Sequence, residues 1–188
     1  MMSWGMMMSK PQDINNYRFS KTDKLFLDAN IWLYVYGPQG GSNDFKTHIY
    51  SKALGHAMQA QSQILIDVLV ISEYINRFAR LEYDIQFPDK STRPDYKQFR
   101  NSPDFIPIAS TISATVRKII KISSRLESNF STVDIQELLA QFEIGGYDFN
   151  DQILTHLCQS HNMLLVTHDA DFKGKQVNIL TANQRILN

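Results

Sequence analysis

A single cysteine, Cys158, stands among the 188 residues, which excludes an internal disulfide and any structural zinc site built on cysteines. A reducing compartment, the cytoplasm, is the simpler setting for such a chain. Charge of one sign is also missing: Lys+Arg and Asp+Glu are 19 each, so no global positive field advertises a nucleic-acid partner. A polyanion has to be held by local patches. No apolar run approaches the roughly 20 residues that span a bilayer, so no membrane partner is expected. Prolines are few, but four of the six fall within residues 84–107. Residues 1–8 hold five of the seven methionines with no basic stretch before them, a poor signal peptide. Residues 1–20 are expected to form a loosely ordered leader, and residues 21–188 one domain. Hydrophobic residues at 43% and charged residues at 20% suit a globular core.

What is present is alternation. Lys24-Leu-Phe-Leu-Asp28 reads as a strand ending in an acid, and a short helix over 30–36 stops at Gly37-Pro38. A helix is expected over 43–61, a strand over 63–68 and a helix over 69–83. The proline-rich residues 84–107 read as an excursion rather than a second core, followed by an amphipathic helix over 108–126. Together they form an insertion around 84–130. Shorter helices are expected over 134–142 and 148–161, the latter placing Cys158 in the core. Met163-Leu-Leu-Val-Thr167 is the clearest strand, and a last one is expected over 176–180. Strands alternating with helices predict an α/β fold with a mostly parallel sheet covered on both faces, in which ligands bind beyond the carboxyl ends of the strands.

Asp28 and Asp169 both follow such strands. Asp28 either caps the next helix or faces the ligand-binding edge. Glu73 lies in the first turns of its helix, where an i,i+4 pair with Arg77 is the alternative to a site role. Asp148 and Asp151 share a helical face and also suit the N-cap and N3 positions of a capping box. Asp169 and Asp171 also suit turns after a strand. His168 is expected to face solvent. Each acid is explicable singly; the set is not. Four carboxylates about 5 Å apart repel by about 3 kcal/mol per pair at an effective dielectric of about 20. Such a set persists with a compensating cation or with raised pKa values, and all-oxygen donors select Mg2+ or Mn2+ over Zn2+.

Taken in order, Leu-Phe-Leu-Asp28-Ala-Asn30-Ile, Ile71-Ser-Glu73-Tyr, Asn150-Asp151-Gln-Ile-Leu and Leu165-Val-Thr167-His-Asp169-Ala-Asp171-Phe172 resemble the PIN-domain family. The resemblance implies a three-layer α/β/α sandwich and a metal-dependent ribonuclease, with Asp28, Glu73, Asp151 and Asp169 as the four acids. It also implies that Asn30 and Thr167 support a Mg2+ or Mn2+ site, with Asp171 as an occasional extra acid. Many small members are toxins of bacterial toxin–antitoxin pairs and often dimerise, so RNA, an antitoxin protein and a homodimer are the partners implied. This chain departs from the compact toxins in its insertion. Residues 84–130 carry eight basic against five acidic residues. Arg117, Lys118, Lys121 and Arg125 on one helical face, with Lys173 and Lys175 after the last acid, are candidate phosphate contacts; a solvated helix face is the alternative. A haloacid-dehalogenase-type phosphatase also begins with a strand-end acid but needs a second Asp two residues later, where Asn30 stands. A non-catalytic PIN-like module that binds RNA or protein is a further alternative.

Overall fold

The structure is a computed structural model, and it describes residues 10–38, 45–128, 130–145 and 148–188. Residues 1–9, the start of the helix expected over 43–61, and Gly146 lie outside the described residues.

Strands β1 (Gln12–Asp13), β2 (Lys24–Leu27), β3 (Gln63–Ile66), β4 (Ser124–Arg125), β5 (Leu164–Val166) and β6 (Asn178–Thr181) form one sheet. Its order is β1-β6-β5-β2-β3-β4 and every pairing is parallel. Helices α1 (Ala29–Tyr36), α2 (Phe45–Gln59), α3 (Val68–Gln86), α4 (Tyr96–Arg100), α5 (Phe105–Ile122), α6 (Ile135–Glu143), α7 (Phe149–Ser160) and α8 (Gln184–Leu187) connect and cover it, completing a three-layer α/β/α sandwich. The three apolar residues of β2, and likewise of β3, are buried, as strands covered on both faces require. Trp32, Phe26, Tyr50, Tyr74 and Phe172 anchor the core with less than 2% exposure. Cys158 is buried among them, and burial pushes its thiol up, out of the reactive range.

Several expectations need correction. The leader does not extend through residue 20, because Gln12–Asp13 pairs with Leu180–Thr181 and Ile14 is buried. The helix expected over 108–126 starts at Phe105, with Pro107 tolerated in its first turn where no helical N–H is lost. It stops at Ile122, where Ser123 turns extended and Ser124–Arg125 pairs with Leu65–Ile66. Pairing the open side of β3 satisfies backbone groups that a longer helix would leave orphaned there.

The insertion also holds an apolar knot of its own, contrary to the expectation of a coreless excursion. The rings of Tyr83, Phe87, Phe99 and Phe105 meet in sequence, with Phe87–Phe99 at 5.3 Å and Phe99–Phe105 at 5.6 Å. Arg80 lies 3.5 Å over the Tyr96 ring, and Arg93 pairs with Asp84 at 2.9 Å. The Tyr83 hydroxyl donates to the Pro94 carbonyl and closes the excursion onto α3. Prolines mask these aromatic contacts in a reading based on periodicity.

Candidate functional site

Parallel register brings the strand ends to one edge. Phe26 pairs with Leu65 and Leu165, so β2, β3 and β5 finish side by side, followed at once by Asp28, Asp67 and Thr167. Asp28 holds the N-cap position of α1 but makes no side-chain cap bond. Its carboxylate turns to the neighbouring strand instead. The Thr167 hydroxyl donates to Oδ2 at 2.8 Å, and the Asn30 amide donates to the same oxygen. The Asn30 carbonyl oxygen accepts from the His168 N–H at 3.3 Å, and Thr167 Oγ1 accepts from the Asp169 N–H at 3.0 Å. Asn30 and Thr167 thus fasten the first and last acid segments together.

Asp28 is 5% exposed, and burial raises its carboxyl from an ordinary 3.8 to about 7. The Thr167 bond opposes the rise, while the negative charges of Glu73 and Asp151 add to it. Asp151 is raised as well, first by burial; its bond to Lys175 opposes this, and Asp148 and Asp169 push the same way as burial. Asp28 thus feels Glu73 and Asp151, and Asp151 feels Asp169, so the four expected acids form an electrostatic chain.

They are not yet packed as a cage. Among the described residues, no three His, Cys, Asp or Glu side chains stand close enough to hold a metal ion. Two of the acids carry internal cations: Arg77 meets Glu73 at 3.1 Å, and Lys175 meets Asp151 at 3.0 Å. The Glu73–Arg77 pair expected as the alternative is real, and it is largely exposed, so it adds little stability. Asp148 is the N-cap of α7, accepting from the N–H groups of Asn150 at 2.8 Å and Asp151 at 3.3 Å. Asp169 accepts from the Asp171 N–H at 3.1 Å in a turn, and Asp171 is exposed. Capping and site roles coincide here, since both need carboxylates at helix starts.

The chemistry of the candidate donors, though not their present spacing, suits a hard divalent ion. The set is all oxygen, its deepest member is a carboxyl strained towards neutrality by burial and by its acidic neighbours, and hydroxyl and amide donors already orient that member.

His168 does not face solvent as expected. Its Nδ1 lies 2.8 Å from the Tyr50 hydroxyl, which also accepts from the Ala182 N–H at 3.0 Å, and its ring stands edge-on to Tyr34 and Tyr50. The Asn183 amide donates to the His168 carbonyl at 2.7 Å. Tyr50 and Asn183 thus brace the segment bearing Asp169, a role no local motif reveals. Asp67 escapes the motif reading although Ile-Leu-Ile-Asp67 repeats the pattern of Leu-Phe-Leu-Asp28. It caps α3 through the Leu69 N–H at 2.7 Å, is 1% exposed, and keeps Oδ2 buried without a hydrogen-bond partner. Of the basic set, Arg117, Lys118 and Lys121 are exposed on α5, whereas Arg125 has left that face for β4; Lys173 is exposed after the last acid.

An all-parallel α/β/α sheet with acids along its carboxyl edge defines a protein that carries acidic side chains in the usual ligand-binding place of the fold. The chain belongs to the PIN-domain family: the family model for the PIN domain matches residues 25–177. Members of this family are generally nucleases and generally depend on divalent metal. The chain is similar to VapBC2 from Rickettsia felis bound to a DNA fragment from their promoter, with 17% identity and a TM-score of 0.51, covering 84% of this chain and 98% of that one. It is also similar to PAE2754 from Pyrobaculum aerophilum, with 18% identity and a TM-score of 0.49, covering 86% of this chain and 90% of that one. No curated protein matches the sequence. At 17% identity the likeness to the Rickettsia felis structure speaks for the fold alone.

Proposed function

We propose that this protein is an endoribonuclease, a hydrolase of RNA phosphodiesters, dependent on Mg2+ or Mn2+ held by Asp28, Glu73, Asp151 and Asp169. The observation that carries this reading is Asp28 itself. A carboxyl 5% exposed and raised to about 7, with the charges of Glu73 and Asp151 adding to the rise, is costly to the fold once ionised, and a bound cation would offset that cost. A divalent ion bound there would supply an activated water and neutralise charge on the non-bridging oxygens and leaving group. The chain's own side chains do the rest. Thr167 and Asn30 hold the Asp28 carboxylate in one orientation. Asp148 or Asp171, both exposed beside the four acids, accepts the proton of the attacking water. Arg117, Lys118, Lys121, Arg125 and Lys173 contact phosphates at the surface. Lys173 and Asp171 line one cleft of about 1010 Å³, whose walls include none of the four acids.

The same reading makes the chain the toxin of a toxin–antitoxin pair acting in the cytoplasm, with an antitoxin protein as partner. Its support is the family, many of whose small members are such toxins. Among the described residues no helix is long and apolar enough to cross a membrane. Leu139, Phe142 and Ile144 are exposed on and just after α6, a surface suited to the homodimer. A small DNA-binding protein encoded by the neighbouring gene that copurifies with the chain supports the pairing; sedimentation of the purified chain tests the dimer.

The activity is tested by incubating single-stranded RNA with the protein and Mn2+, with and without chelator, beside p-nitrophenyl phosphate. RNA cleavage abolished by chelator, and lost in folded Asp28→Asn and Asp169→Asn proteins, is expected. Variants shown to be folded that cut as fast as wild type overturn the mechanism. One observation favours a second reading: Glu73 and Asp151 already have cations within the chain. A protein that takes up no Mn2+ and holds RNA intact is the non-catalytic module instead. Turnover of p-nitrophenyl phosphate without RNA cleavage points to the phosphatase.

A further inference from the structure

The Lys175–Asp151 pair differs from an ordinary surface bridge in how it is built. The side chains are 7% and 17% exposed, so the ammonium is almost fully withdrawn from water. Burial of a lysine is tolerated when it is paired, and this one is paired with an acid of the candidate metal site. The ammonium also lies 4.5 Å over the ring of Phe172, itself wholly buried. The loop is shaped to aim it there. Gly174 sits at φ +81°, a left-handed conformation that strains any other residue, and folds the chain back after Lys173. The Lys175 N–H donates to Phe172 O at 3.2 Å, the Val177 N–H donates to Lys175 O at 2.8 Å, and the Gln159 amide ties Gln176 O to α7. Arg77, the cation beside Glu73, has no such seat; its side chain is 51% exposed.

We propose that Lys175 is the chain's resident counter-cation, seated on the Asp151 carboxylate where a divalent ion would bind, so that metal loading exchanges an ammonium for a metal. This rests on the metal-binding reading of the four acids and concerns how that site is held before the metal arrives. An ammonium held 3.0 Å from Asp151 Oδ2 opposes a dication on the same carboxylate, since the two cations repel. A lysine suits the exchange because its long stem lets the head swing to water without moving the backbone. The 1010 Å³ cleft gives it somewhere to go: Lys173, Gly174, Lys175 and Asp171 all line it. Once displaced, the ammonium stays on the wall of that cleft. The resting state therefore lowers metal affinity and keeps the acid edge from flying apart.

The test is Mn2+ binding by calorimetry on the full chain at fixed pH, with wild type, Lys175→Met, Lys175→Gln, Lys175→Arg and Lys173→Met. Removing the ammonium is expected to tighten Mn2+ binding by roughly tenfold in Lys175→Met and Lys175→Gln, equivalent to about 1.4 kcal/mol. Lys175→Arg keeps the charge and stays near wild type. Lys173→Met removes an equal charge from the exposed surface and is expected to change Kd by no more than about twofold, because solvent screens it. The Mn2+-induced rise in Tm is likewise larger in Lys175→Met than in wild type. Should Lys175→Met not fold, Lys175→Gln retains a polar head and carries the comparison. Unchanged affinity in both, or equal tightening in Lys173→Met, overturns the exchange while leaving the metal site standing. If none of the five proteins takes up Mn2+, the metal reading itself fails and this inference with it.

Discussion

Replacing Asp28 by asparagine should make the metal-free protein more stable at pH 8 and leave it little changed near pH 4. The folded Asp28 carboxyl titrates at about 7 against 3.8 ordinarily, so between those values the folded chain keeps a proton that the unfolded chain has released. Stability then falls as pH rises through that window. The contribution of neutral Asp28 is complete below about pH 4 and gone above about pH 7. A rise of about three pKa units at about 1.4 kcal/mol each makes the ionised carboxylate cost the fold roughly 4 kcal/mol above pH 7. The Asp28→Asn side chain has no such titration, and its amide oxygen still accepts from the Thr167 hydroxyl. Urea unfolding in chelator, run from pH 4.5 to 8, measures the difference. The variant's advantage should grow with pH by about 3 to 4 kcal/mol. Excess Mn2+ should narrow that advantage at pH 8, stabilising wild type by about 2.7 kcal/mol at a hundred times Kd and by about 4.1 kcal/mol, enough to cancel it, at a thousand times Kd, and the variant far less. Parallel pH profiles for the two proteins would refute the reasoning, because they would mean that Asp28 is not a strained acid.

Thr167→Val removes the hydroxyl that holds Asp28 in place and should cost about 1 to 3 kcal/mol in urea unfolding, with the Asp28 transition moving to higher pH. Phe99→Ala empties the centre of the aromatic knot and should lower stability by about 3 to 5 kcal/mol, while Mn2+ binding at the distant acids stays unchanged. Combined replacement of Arg117, Lys118 and Lys121 should weaken RNA binding and lower its salt slope by up to about three; a slope equal to wild type removes α5 from the interface.

The acidic edge was legible because Leu-Phe-Leu-Asp28 and Leu-Val-Thr167-His-Asp169 carry their meaning locally: a buried strand gives out and polar residues follow. Asn30 and Thr167 were legible only through the family resemblance; their bonds to Asp28 are a finding of the structure. Glu73 and Asp148 have the simpler partners that their local sequence suggests. Long-range pairings were not legible. Lys175 reaches Asp151 across 24 residues through a turn set by one glycine, and Tyr50 braces His168 across 118. Neither leaves a periodic trace. The two-residue strands β1 and β4 are too short to show alternation, and they exist because a neighbouring strand offers free backbone groups. The aromatic knot failed to register because prolines break the spacing on which a helix reading depends.

Those two shortest strands, β1 and β4, form the rims of the sheet. Each presents only a couple of peptide groups outward, too little for an extended segment of a foreign polypeptide to zip alongside. Among the described residues the sheet rims therefore offer little to strand addition by a partner, and stacking of copies rim to rim into fibrils is disfavoured by the architecture itself.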